Sequence, residues 1–91
     1  MNQKIYRKST EAAFRIVENE AVIVTPAEGI IRVLNDAGSV IWQHLDGRHT
    51  LSEIYNILST EFDISSEDAE RDVSEFIKDL EERKLIEIIN D

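Results

Sequence analysis

The sequence predicts an α+β fold: a small three-stranded antiparallel sheet followed by three helices, winged helix-turn-helix-like in arrangement. Three observations carry this reading. Between residues 13 and 34, three short runs rich in β-branched and aromatic residues (AFRIV, AVIVT, IIRVL) alternate with turn residues. From Leu51 onward the apolar residues recur at helical spacing behind well-formed caps. Between the halves lies LNDAGSVIWQHLDG, Leu34 to Gly47, which joins strands to helices and holds the only Trp, Trp42.

Each element has its own warrant. Residues 1–12 show no period and are expected to form a flexible arm. Ala13–Val17, Ala21–Thr25 and Ile30–Leu34 are expected as strands of an antiparallel meander, turning at Glu18-Asn19-Glu20 and at Pro26-Ala27-Glu28-Gly29. The second and third are apolar on both faces, so the sheet is expected to be covered on more than one side, or by a partner. Asn35 can cap a short helix carrying Ala37, Ile41 and Leu45 on one stripe, with Val40 beside them. That helix is expected to stop at Asp46-Gly47, where glycine takes a left-handed cap without a Cβ penalty.

Thr50-Leu51-Ser52-Glu53 is a capping box, and Ile54, Leu58 and Phe62, with Leu51 and Tyr55, make the stripe of a second helix. Ser65 caps a third, with Glu67 and Asp68 favourably placed near its positive end. Ala69, Val73, Phe76, Ile77 and Leu80 form the longest periodic run of the chain, and Arg83-Lys84 complement the dipole at its end. LIEII, Leu85 to Ile89, leaves the helical period and reads as a short terminal strand.

Composition restricts function. Ninety-one residues are expected to make one domain, residues 1–91, too small to build a deep catalytic cleft cheaply. A hydrophobic fraction of 42% with 32% charged residues is that of a globular chain rather than a disordered one. The lack of cysteine excludes disulfides, thiolate chemistry and a Cys-based zinc site. The sequence shows neither an apolar run near the ~20 residues that cross a bilayer nor a signal-peptide core, so a cytoplasmic protein is expected. Net charge is −9; residues 1–17 hold four bases against one acid, leaving −12 on the remainder. DNA repels so acidic a chain unless a basic face is segregated.

Most conspicuous residues have plain explanations. Trp42 reads as a packing residue and the third-helix stripe as core. His44 and His49 flank LDG without a third ligand and read as turn histidines. Glu67-Asp68 and Glu81-Glu82 read as solvated helix positions. No Ser/His/Asp constellation, phosphate loop or metal-ligand spacing can be assembled, so neither catalysis, cofactor nor metal is expected.

One resemblance goes further. Leu34, Asn35, Gly38, Ile41, Trp42, Leu45, Asp46, Gly47, Thr50, Glu53, Ile54, Leu58, Asp72, Val73, Phe76 and Leu80 stand in a pattern that resembles the PqqD family, the peptide chaperones of pyrroloquinoline quinone (PQQ) biosynthesis. Related domains are recognition elements for ribosomally made, post-translationally modified peptides (RiPPs). The resemblance covers Val33 to Ile86, and the chain departs from it at Lys84, where the family often has Gly.

The resemblance implies a peptide-binding chaperone that takes a precursor's leader as an extra antiparallel strand on the edge of the third strand, in a groove against the third helix. The peptide-binding residues it implies are Ile30, Ile31, Arg32, Val33 and Leu34 on the strand, with Ala69, Asp72, Val73 and Phe76 on the helix. The edge has one charge, Arg32, and no proline to blunt pairing, so it suits strand addition. Arg32 is expected to meet an acidic leader residue, and Asp72 or Glu75 basic ones. Implied partners are the leader peptide and a modifying enzyme such as a radical S-adenosylmethionine (radical SAM) protein or a peptidase, with no nucleic acid or membrane partner, the chain being a monomer or weak homodimer.

Two alternatives belong to other classes. A winged-helix DNA-binding regulator would need a basic recognition helix, yet Ser66–Lys84 holds eight acids against four bases. A structural adaptor would pair with itself through the same edge.

Overall fold

The computed structural model describes residues 3–10, 12–18, 20–25 and 29–90. Its elements are β1 (Ile5–Lys8), β2 (Ala13–Val17), β3 (Glu20–Thr25), β4 (Ile30–Val33), α1 (Asp36–Gln43), β5 (Asp46–Thr50), α2 (Leu51–Phe62), α3 (Ser66–Glu82) and β6 (Ile86–Asn90). The expected meander is present as β2-β3-β4, paired Phe14 to Ile23 and Ile23 to Arg32. Gly29 takes φ +67° at the head of β4, while Asn19 and the expected loop residues Pro26–Glu28 lie outside the described residues.

A second sheet, β5-β1-β6, departs from the expected architecture. Residues 5–8 of the expected arm are its central strand, pairing Tyr6 with Ile88, Arg7 with Glu87 and, on the other side, Ile5 with Thr50. Tyr6 is buried. The strand is short, but its cations meet acids on its neighbours. Arg7 bonds Glu87 at 3.3 Å, and Lys8 lies in the field of Asp46. Two of the four bases near the start, Arg7 and Lys8, thus face acids of the second sheet.

The Asp46-Gly47 cap is also corrected. α1 ends at Gln43, and His44 caps it with φ −92° and its amide turned back on Ile41. Gly47 does take φ +78°, but inside β5, where the register against β1 shifts. Its left-handed φ is what calls for glycine, and a Cβ there would also come within 3.3 Å of the tip of the Ile89 side chain.

The helix starts form as their sequences dictate. Asn35 accepts the Gly38 amide at 2.8 Å, Thr50 and Glu53 make the reciprocal capping box, and Ser65 accepts the Asp68 amide at 3.1 Å. Ala69, Val73, Ile77 and Leu80 turn inward to pack with Leu51, Ile54 and Leu58 of α2 and with Trp42 of α1. Ala21, Ile23 and Leu34 bring the meander to the same core, and Tyr6, Leu85 and Ile86 bring the second sheet.

Where the family often has Gly, Lys84 sits at φ +59°. The Leu85 amide reaches the Leu80 carbonyl and the Lys84 amide that of Glu81, each at 3.0 Å, which makes a Schellman cap with a side chain at its left-handed position. An L-residue there costs roughly 1–2 kcal/mol, part of which glycine returns as unfolded-state entropy. Lys84→Gly is expected to stabilise the protein by about 1 kcal/mol, read as a higher urea midpoint at unchanged slope.

Candidate functional site

β4 is an edge strand with two different flanks. On the inner side the Leu34 amide donates to the Ala21 carbonyl at 2.9 Å. Antiparallel pairs alternate between bonded and non-bonded, so Arg32 also turns its backbone groups toward β3, and Ile31 and Val33 turn theirs away. Among the described residues no strand meets them there. The terminal strand β6 pairs with β1 instead.

The side chains alternate with the same period. Arg32 and Leu34 face the helices, whereas Ile31 and Val33 stand on the outer face with 69% and 63% of their surface exposed. Arg32 donates to Asp79 of α3 at 2.6 Å, and Arg83 donates to the same carboxylate at 3.1 Å. Burial acts to raise the Asp79 pKa, but the bonds from Arg32 and Arg83 outweigh it and hold the group below the usual carboxylate range. This ion pair pins the strand beside the third helix.

A groove of about 580 Å³ opens between them, lined by Val33, Leu34, Asn35, Ala37, Gly38, Ile41, Asp72, Glu75, Phe76 and Asp79. Its floor is apolar and its α3 wall is acidic. A buried hydroxyl steadies the rim. Ser39 of α1 accepts the Ala21 amide at 2.8 Å and donates to the Leu34 carbonyl at 3.3 Å, filling the gap where the β3–β4 ladder ends.

Of the site residues expected from the sequence, Val33, Leu34, Asp72 and Phe76 line this groove, and Ile31 and Arg32 lie along the same strand. Ile30 enters β4 opposite Thr25. Ala69 and Val73 do not belong to the groove. Both are fully buried on the core face of α3, with no surface left for a ligand. Arg32, expected to await an acidic partner, already has one in Asp79. The α1 contribution was missed, although small residues at Ala37 and Gly38 just after a strand end are a signal for close approach.

Away from the groove, Lys8 donates to the Leu45 carbonyl at 3.2 Å and lies over the Phe14 and Trp42 rings, with centroids at 5.4 and 5.3 Å. Burial lowers its pKa, opposed by the Asp46 charge. Trp42 is fully buried. His49 bonds Asp46 at 2.8 Å, and His44 donates from Nδ1 to the Val40 carbonyl at 2.7 Å. Among the described residues no three His, Asp or Glu side chains are grouped to hold a metal, and no helix is long and apolar enough to cross a membrane.

The family model for Coenzyme PQQ synthesis protein D (PqqD) matches residues 20–86. A curated relative, the PqqA binding protein of Xanthomonas campestris pv. campestris (strain B100), is 36% identical over 55 residues, 60% of this chain. The match spans 60% of that relative's length. A solved structure described as TbiB1 in complex with the TbiA(beta) leader peptide superposes with a TM-score of 0.80 at 25% identity, over 89% of this chain and 94% of that one. The fold is shared too by a lasso peptide synthetase B1 complexed with the leader peptide, with a TM-score of 0.79 at 24% identity over 90% and 96% of the two chains.

The Ser39 bridge makes a direct prediction. Ser39→Ala strands a buried amide and carbonyl and is expected to destabilise the protein by about 1–3 kcal/mol, measured by urea denaturation followed through Trp42 fluorescence.

Proposed function

This chain belongs to the PqqD family, and on that footing we propose that it is a non-catalytic peptide-binding chaperone that captures the leader of a ribosomally made precursor and presents it to a modifying enzyme. The observation that carries this reading is the open flank of β4, with the peptide groups of Ile31 and Val33 turned outward beside the α1–α3 groove. An extended guest pairs there antiparallel. It gains affinity from main-chain bonds and specificity from side chains entering the groove.

The names of similar proteins support the same reading, since one is called a PqqA binding protein and another was solved with a leader peptide. The enzyme served is a peptide-modifying one, a radical SAM protein or a peptidase. A winged-helix DNA regulator is disfavoured by charge, because α3 shows solvent an acidic face that phosphate would avoid.

Proline at position 31 separates guest pairing from folding. The Ile31 amide faces away from β3, so proline removes no bond of the sheet while it blocks a guest strand. Ile31→Pro is expected to keep its unfolding free energy, from urea denaturation, within about 1 kcal/mol of the parent and to lose at least tenfold in affinity for a precursor leader peptide, by isothermal titration. Unchanged affinity in a folded Ile31→Pro protein would remove strand addition as the binding mode.

A further inference from the structure

The open edge also dictates what sort of peptide it takes. Resting on the strand-capture reading above, we infer that the guest is an extended segment that hydrogen-bonds Ile31 and Val33 and sets a Lys or Arg side chain level with Leu34, against Asp72 and Glu75, with no positive charge at the position level with Arg32.

Register comes first. If Ile31 and Val33 offer the outward peptide groups, the guest residues opposite them make the bonded pairs and place their side chains on the outer face, beside Ile31 and Val33. The residues between and beyond them, level with Arg32 and Leu34, point toward α3. The guest side chains level with Arg32 and Leu34, two residues apart, are the ones set beside Asp79 and the groove.

Charge then distinguishes those two positions. Asp79 is already neutralised by Arg32 and Arg83, at 2.6 and 3.1 Å. Asp72 and Glu75 are one turn apart on the exposed face of α3, and among the described residues neither has a hydrogen-bonding or ion-pair partner. The groove they line includes Leu34 but not Arg32. A cation level with Leu34 lays its methylene stem over Leu34 and Phe76 and brings its head to two free carboxylates. The same cation level with Arg32 meets a like charge directly across the strand pair, which is unfavourable. The outer-face guest positions, next to Ile31 and Val33, take β-branched or apolar residues.

Selection from a display library of randomised ten-residue segments tests this, on the wild-type chain and on an Asp72→Asn/Glu75→Gln variant whose fold is checked by circular dichroism. Wild type is expected to enrich Lys or Arg at one position, with uncharged or acidic residues two places to one side, and the variant to lose that enrichment. A recovered peptide remade with Glu for its basic residue is expected to bind wild type roughly five- to tenfold more weakly at low salt, the difference shrinking as salt is added. If sequences enrich without a basic position, or keep it on the variant, the charge assignment is wrong while strand capture stands. If nothing enriches on wild type, strand capture itself fails and takes the assignment with it.

Discussion

Two peptide groups decide the character of this molecule. Ile31 and Val33 direct their N–H and C=O away from β3, and among the described residues no strand receives them. An edge of this sort is normally a hazard, since any extended chain can pair with it. Here it is short, ends at the Ser39 bridge, and is held beside α3 by the Arg32–Asp79 pair. It is therefore a fixed template rather than a frayed margin. A strand held in one place has less ordering cost left for a guest to meet.

The second sheet explains why the edge stays open. Unpaired backbone groups on a terminal strand pair with any exposed ladder within reach. Here β1 lies between β5 and β6 and takes up the tail, with Arg7 facing Glu87 and the Ser9 amide bonded to Leu85. Lys8 couples this sheet to the rest, reaching the end of α1 and lying over Phe14 and Trp42. The amino-terminal strand and the tail thus pair with each other and, among the described residues, leave the outer edge of β4 unpaired.

Local chemistry was legible in the sequence, and distant pairing was not. The three caps at Asn35, Thr50 and Ser65, the α3 stripe, the buried Trp42 and the meander all follow from residues within a few positions of one another. β1 has only Ile5 and Tyr6 as apolar members, and its partners lie at the far end of the chain, so no local period announces it. Gly47 is left-handed as expected but lies in a strand rather than at a helix end, because the β1 partner that makes β5 a strand is far along the chain. The α3 residues that line the groove lie beside the periodic stripe, and that stripe alone does not say which flank of the helix faces β4. Ala69 and Val73 belong to the stripe that packs the core, and the groove belongs to Asp72, Glu75 and Phe76 beside it. The Asp79 partner of Arg32 is 47 residues away and carries no signature of its own.

Backbone hydrogen exchange at four consecutive amides tests the central claim most directly. In the free protein, Arg32 and Leu34 are expected to exchange slowly and Ile31 and Val33 fast, and saturation with the precursor peptide is expected to slow the latter two selectively. Protection of Ile31 and Val33 before any peptide is added, or no change in them at saturation, would contradict an edge kept open for a guest strand.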